Sequence, residues 1–182
     1  SIVMWGTNPI RSRQYSGLRI MDAKRNGAHV VVVDPVFRDI GAKADLWVPV
    51  RPGTDGALAM GLANLMFTSG KFLRAEEMLS KWTNSPFLIN EDTRMMLRES
   101  ELVEGGSDEH YVVWDEAAGD VAIWCPETES FATEGVKPAL MGVHEVTLAD
   151  GTKKACKTAL ETYKDEVAVW TPEEVSSVTW TP

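Results

Sequence analysis

Residues 29–58 read HVVVVDPVFRDIGAKADLWVPVRPGTDGAL, and this block constrains the fold more than any other stretch. An apolar run from His29 to Val33 stops at Asp34-Pro35, and a second from Leu46 to Val50 stops at Pro52-Gly53-Thr54-Asp55. Continuous β-branched runs suit parallel strands covered on both faces. A helical pattern then begins. One acid closes a buried strand and another opens a helix, the placement from which open α/β sheets bind nucleotides.

The rest of residues 1–70 alternates in the same way. Ile2–Trp5 predicts a short buried strand and Gly6-Thr7-Asn8-Pro9 a turn. Ser16 can cap a helix over Gly17–Arg25, which Asn26-Gly27 closes. Thr54 or Asp55 caps a helix over Gly56–Thr68, with Leu58, Leu62, Leu65 and Met66 as one apolar stripe. Strand–helix–strand repetition predicts a Rossmann-like parallel sheet flanked by helices. Beyond it, Ala75–Trp82 reads as helix, Phe87–Ile89 as extended and Arg94–Arg98 as a helical turn. Two hairpins follow: Tyr111–Trp114 and Val121–Cys125 flank Ala118-Gly119-Asp120, and Glu145–Leu148 and Thr152–Ala155 flank Asp150-Gly151. Leu160–Val169 is read as helix, and Thr171-Pro172-Glu173-Glu174 as an N-cap, a first-turn proline and a capping-box acid. The expected class is α/β, with a nucleotide-binding core over 1–90 and a hairpin-rich antiparallel α+β extension over 91–182.

The bulk numbers narrow the partners. With 182 residues the chain can build one good core or two small ones. A net charge of −9 argues against a nucleic-acid backbone, which needs a cationic face. No apolar stretch approaches the roughly 18 residues of a membrane span, so direct membrane insertion is not expected. Cys125 and Cys156 have no close spacing, and His29, His110 and His144 are scattered. No metal cluster of its own is therefore expected, and buried thiols are favoured over a disulfide. The abrupt start at Ser1-Ile2 and the stop after Trp180-Thr181-Pro182 read as marks of a piece cut from a longer protein. The alternative is a small protein that has lost its initiator methionine.

Several residues can carry a ligand, each with a plainer alternative. In Trp5-Gly6-Thr7-Asn8-Pro9, glycine admits a phosphate close to the backbone, free N–H groups can donate to it, and Asn8 adds side-chain donors. The same residues can also be an ordinary strand-to-helix turn. Asp34 comes 28 positions after Gly6. It can accept from ribose hydroxyls, or merely begin a turn with Pro35. The G-x-G-x-x-G fingerprint is missing, which disfavours a nicotinamide or flavin dinucleotide. Asp55 can cap the helix, or accept from the two adjacent N–H donors of guanine if Thr54 takes the cap. Arg38 and Arg51 can reach a pyrophosphate or stand alone on the surface. The seven tryptophans are read mainly as core and interface mass. No nucleophile–base set falls at informative spacing, so no catalytic residue is expected.

Taken in order, Val3-Met4-Trp5-Gly6-Thr7-Asn8-Pro9, Val33-Asp34-Pro35 and the stretch from Ala42 through Arg51-Pro-Gly-Thr-Asp55 resemble the molybdopterin oxidoreductases of the dimethyl sulfoxide reductase type. Trp82-Thr-Asn-Ser-Pro-Phe-Leu88 and the Asp115–Gly119 turn fit the same family. The resemblance is strong over 1–90 and looser over 91–182. It implies a large enzyme whose molybdenum or tungsten is held by two molybdopterin guanine dinucleotides, this segment gripping one of them. Carried over by position, Trp5, Gly6, Thr7, Asn8 and Pro9 would line the phosphates. Asp34, Pro35, Val36, Phe37 and Arg38 would line the nucleoside, and Gly53, Thr54 and Asp55 would hold the guanine. Family members often carry arginine where this chain has Val36, with Arg38 a substitute.

The resemblance places the metal ligand and the iron–sulfur cysteines before this segment. The segment alone is then expected to be inactive and without the cofactor. Its partners would be the remaining domains of the parent catalytic subunit and an iron–sulfur electron-transfer subunit. Twin-arginine export is a habit of the family, which leaves a periplasmic or membrane-associated place open for the parent. Two rival readings need no such cofactor: a non-catalytic α/β domain for subunit contact, and a nucleotide-binding domain of another enzyme, such as a thiamine-dependent one.

Overall fold

The computed structural model describes residues 1–37, 39–71 and 75–182. In chain order the elements are β1 (Ile2–Trp5), α1 (Pro9–Ser12), α2 (Gln14–Arg25), β2 (Val30–Val33), β3 (Leu46–Val48), α3 (Asp55–Thr68), α4 (Glu76–Trp82), β4 (Leu88–Asn90), α5 (Glu99–Leu102), β5 (Tyr111–Asp115), β6 (Asp120–Cys125), β7 (Ser130–Phe131), β8 (Val143–Thr147), β9 (Lys153–Thr158), α6 (Ala159–Val167) and α7 (Pro172–Thr179). They fall into two compact units, Ser1–Asn64 with Val169–Pro182, and Leu65–Ala168. The α/β class with an antiparallel C-terminal portion is present as predicted. No helix among the described residues is long and apolar enough to cross a membrane.

The first unit is built on a parallel sheet of order β1-β2-β3. Trp5 lies beside Val33, and Val33 beside Val48, so the three strands end level. The central strand is buried, with Val30, Val32 and Val33 at 4% exposure or less, as a run covered on both faces should be. Met4, Val30, Val32 and Ile40 form one core cluster, joined by Ile20 and Met21 of α2. Val33, Val50, Leu58 and Val175 form the other, which brings α3 and α7 together.

Two helical expectations are corrected here. Ser16 does not cap the second helix: α2 begins at Gln14, with Arg13 at its N-cap and the short α1 just before it. Pro9 sits at the first turn of α1, where its fixed φ and missing N–H cost nothing. Gly17 then packs on the α1 backbone, its absent Cβ only 3.0 Å from Ile10 Cα. The apolar stripe expected on α3 is also not its buried face. Leu58 is buried, but Leu62, Leu65 and Met66 are 47–52% exposed. The helix instead buries Ala57, Leu58 and Gly61, because the small residues admit Val175 of α7 against the helix backbone.

The second unit carries two antiparallel sheets, β4-β9-β8 and β5-β6-β7. Both predicted hairpins form. Its core holds Leu88, Leu97, Val112, Val146 and Cys156. The expected helical turn over 94–98 does not form: Arg94 turns the chain at φ +59°, and 96–98 then run extended. Ile89 bridges Met96, Arg98 bridges Tyr111, and the Leu97 N–H donates to the Leu88 carbonyl at 2.8 Å. The fully buried Leu97 sets this conformation against local preference. Both cysteines are free thiols, Cys156 buried and Cys125 half-buried.

Candidate functional site: the carboxyl rim of the parallel sheet

Because β1, β2 and β3 are parallel and end level, the three loops leaving them share one rim. Ladder bonds continue one residue past the strands: Gly6 N–H donates to Val33 O at 3.0 Å, and Asp34 N–H to Val48 O at 3.2 Å. The first loop turns at Gly6, whose φ of +58° is one that a side chain would strain, with open space beyond its α-carbon. Among the described residues no acceptor takes the N–H of Thr7 or Asn8. Pro9, at the start of α1, is buried.

The second loop is closed on itself. Asp34 Oδ1 accepts the Val36 N–H at 2.8 Å, and the Asp34 carbonyl accepts the Trp47 indole N–H at 2.9 Å. Pro35, Val36 and Phe37 are exposed, and the Phe37 ring stands edge-on to Trp47 at 5.1 Å. Arg38 lies outside the described residues.

The third loop is anchored from the far end of the chain. Arg51 N–H donates to Thr179 O at 2.8 Å, and Thr181 Oγ1 to Pro49 O at 2.9 Å. The Arg51 guanidinium lies 4.8 Å from the centre of the Trp180 ring, so this cation is spent on an indole face. Gly53 turns the loop at φ +84°. Thr54 takes the N-cap position of α3, its carbonyl receiving the Ala57 and Leu58 N–H groups. The Thr54 hydroxyl donates to Arg51 O at 2.8 Å, and Asp55 is the first residue of the helix, its carboxylate turned to Trp5 and not to a helix N–H.

Two side-chain pairs tie these loops together. Trp5 Nε1 donates to Asp55 Oδ1 at 2.6 Å, joining the first loop to the third. Asn8 Nδ2 donates to Asp39 Oδ2 at 2.9 Å, with Arg11 Nε on the same oxygen at 3.1 Å, joining the first loop to the second. Trp5, Trp47 and Asp39 thus hold the rim. Asp39 is not visible from spacing, and its φ of +44° is one that aspartate tolerates better than most residues. The expected donor role of the Asn8 amide changes too. Its nitrogen is taken by Asp39, and among the described residues nothing pairs with the buried Oδ1. A buried acceptor of this kind is met by a donor from water or from a ligand.

The rim therefore presents free backbone donors at 7 and 8, a buried acceptor at Asn8, and the second oxygen of Asp55. These groups suit a ligand with both anionic oxygens and N–H or O–H donors. Among the described residues at the rim no nucleophile is paired with a base, and the groups present are those of binding and orientation.

Comparison with known proteins bears on the same residues. The sequence model of the family described as molybdopterin oxidoreductase matches residues 1–118. This chain belongs to the molybdopterin oxidoreductase family. Dimethylsulfide dehydrogenase subunit alpha of Rhodovulum sulfidophilum is 34% identical, over 94% of this chain and 19% of its own length. Chlorate reductase subunit alpha of Ideonella dechloratans is 34% identical, over 98% and 19%. Perchlorate reductase subunit alpha of Dechloromonas aromatica (strain RCB) is 29% identical, over 100% and 22%. The chain spans about a fifth of the length of these relatives. Family membership implies a molybdenum–pterin cofactor. The buried Asn8 oxygen and the free rim N–H groups are compatible with such a polar group.

Proposed function

We propose that this molybdopterin oxidoreductase chain is a segment of a larger catalytic subunit and holds one guanine dinucleotide arm of a bis-molybdopterin cofactor. The observation that carries the reading is the Trp5–Asp55 bond, which brings the first and third loop tips together on the rim that also bears Asp34. Trp5, Gly6, Thr7, Asn8 and Pro9 then line the phosphates, through the N–H groups of 7 and 8. Asp34, Pro35, Val36 and Phe37 line the nucleoside, and Arg38 joins this assignment by its place in the sequence alone. Gly53, Thr54 and Asp55 hold the guanine, whose N–H groups meet the Asp55 carboxylate at its second oxygen and at the remaining lone pair of Oδ1, which also accepts from Trp5. When bound, the cofactor supplies two-electron redox chemistry at its metal, molybdenum or tungsten. This chain binds, orients and excludes water. The metal ligand, an iron–sulfur cluster and the rest of the pocket belong to other domains, and an iron–sulfur subunit exchanges the electrons.

The test uses the 182-residue chain and guanosine diphosphate as probe, read by tryptophan emission, since Trp5 and Trp47 both sit at the rim. A saturable change is expected, weaker with adenosine diphosphate. Asp55→Asn should transfer the preference to xanthosine diphosphate, because an amide offers a donor where xanthine has a carbonyl. Equal responses to all three, or none at millimolar ligand, would overturn the assignment and leave the sheet a folding element.

A further inference from the structure

Three donor atoms of different chemistry meet where the β5–β6 hairpin opens. Tyr111 pairs with Trp124, so the next position on each strand sets His110 across from Cys125. Glu127 follows in the turn toward β7. The imidazole nitrogen, the thiol sulfur and a carboxylate oxygen lie within 4.8 Å of one another. His110 Nε2 is 2.9 Å from Glu127 Oε1, and Nδ1 is 2.7 Å from Glu99 Oε2. Glu99 is itself fixed, its Oε2 accepting the Ser107 N–H at 3.1 Å and its own N–H donating to the His110 carbonyl at 3.3 Å. His110 and Glu99 are mostly covered, their side chains 21% and 25% exposed.

An imidazolium between two carboxylates explains the two glutamates but not the thiol beside them. A cation explains all four residues. One nitrogen, one sulfur and one oxygen donor form a borderline-soft set suited to zinc, whose tetrahedron places ligand atoms about 3.5 Å apart. To reach this the His110–Glu127 pair opens from its 2.9 Å contact, and the three donor atoms, all within 4.8 Å of one another, settle around the ion. A histidine that ligates through one nitrogen usually donates its other N–H to a carboxylate, and Glu99 stands at that second nitrogen.

We propose that His110 Nε2, Cys125 Sγ and a Glu127 oxygen form a site for a zinc-class divalent cation, with Glu99 orienting the imidazole and water as fourth ligand. The site lies wholly in the second unit. Binding displaces the Cys125 thiol proton, and the Nε2 proton where the imidazole is protonated, to solvent. The Nδ1–H continues to donate to Glu99. The ion clamps the open end of the hairpin to the β6–β7 turn.

Cobalt(II) added to the full chain tests this, since it takes the same geometry and reports it by absorption. One ion per chain is expected, with tetrahedral ligand-field bands, a thiolate-to-metal charge-transfer band, and displacement by zinc. Cys125→Ser should abolish the charge-transfer band. Cys156→Ser should leave it, because that thiol is buried in the apolar core with Leu88, Leu97 and Val112. Glu99→Gln should weaken binding about 10- to 100-fold with the bands unchanged in shape. Circular dichroism establishes that each variant is folded. Absence of a charge-transfer band at excess cobalt, or a band that survives Cys125→Ser, overturns the site and leaves an ion-paired histidine.

Discussion

At the scale of single residues, the rim is held by indoles donating to acceptors on neighbouring loops. Trp5 reaches a carboxylate across two strands, and Trp47 reaches the carbonyl of Asp34. Trp5→Phe keeps the ring and deletes the donor. Asp55 is exposed, so water replaces the lost partner, and the expected cost is about 0.5–1.5 kcal/mol by urea denaturation. His110 offers a second prediction, for the metal-free chain. Its pairing with Glu99 first, and with Glu127, raises its pKa above the ordinary 6.5 despite partial burial. A raised value means the folded state holds the proton more tightly. The pair's contribution is therefore full below about pH 6.5 and fades as pH climbs through the raised native value. His110→Gln should cost most stability near the acid end of a series from about pH 5 to 8 and least at the alkaline end. A gap in melting temperature that widens with pH would refute this.

At the scale of elements, the α3–α7 contact decides how the third loop is positioned. Gly61 has no room for a side chain: a Cβ there would lie 2.4 Å from Val175 Cγ2. That methyl belongs to a β-branched residue with little freedom to turn. Gly61→Ala gains helix propensity, but overpacking outweighs it, and a net loss of about 1–3 kcal/mol is expected in thermal or urea unfolding. The double variant Gly61→Ala with Val175→Ala should recover much of it. This contact also marks where sequence reading stops. β2 was legible because four consecutive valines leave few alternatives to a buried strand. The start of α7 was legible because Thr171 accepts the Glu174 N–H and Pro172 needs no donor at its first turn. Those are local rules. The apolar stripe on α3 was misread because the helix buries its small face, which only the presence of Val175 explains. Residues 94–98 were misread for the same reason, since burial of Leu97 between β4 and β5 outweighs local preference.

At the scale of the whole molecule, the chain carries two proposed ligands on two compact units, one at the rim of Ser1–Asn64 with Val169–Pro182 and one in Leu65–Ala168. The rim was legible in outline: parallel strands that end level force Asp34 and the loop before Asp55 to the same edge. The proposed metal site was not. His110 and Cys125 are 15 positions apart and meet only once the hairpin register is known. The division gives the last prediction. A ligand that binds only the native state stabilises it by mass action, about 2.7 kcal/mol at a hundred times its dissociation constant. Amide exchange reports where that energy is felt. Guanosine diphosphate should slow exchange in β1, β2, β3 and the first turn of α3. Protection should extend to α7, because Arg51 and Pro49 hang on Thr179 and Thr181. Zinc should slow exchange in β5, β6 and the turn to β7 instead. If either ligand protected only the other's strands, the site given to it would be misplaced. A metal response that vanished with Cys125→Ser while the nucleotide response stayed would show that the two assignments stand or fall separately.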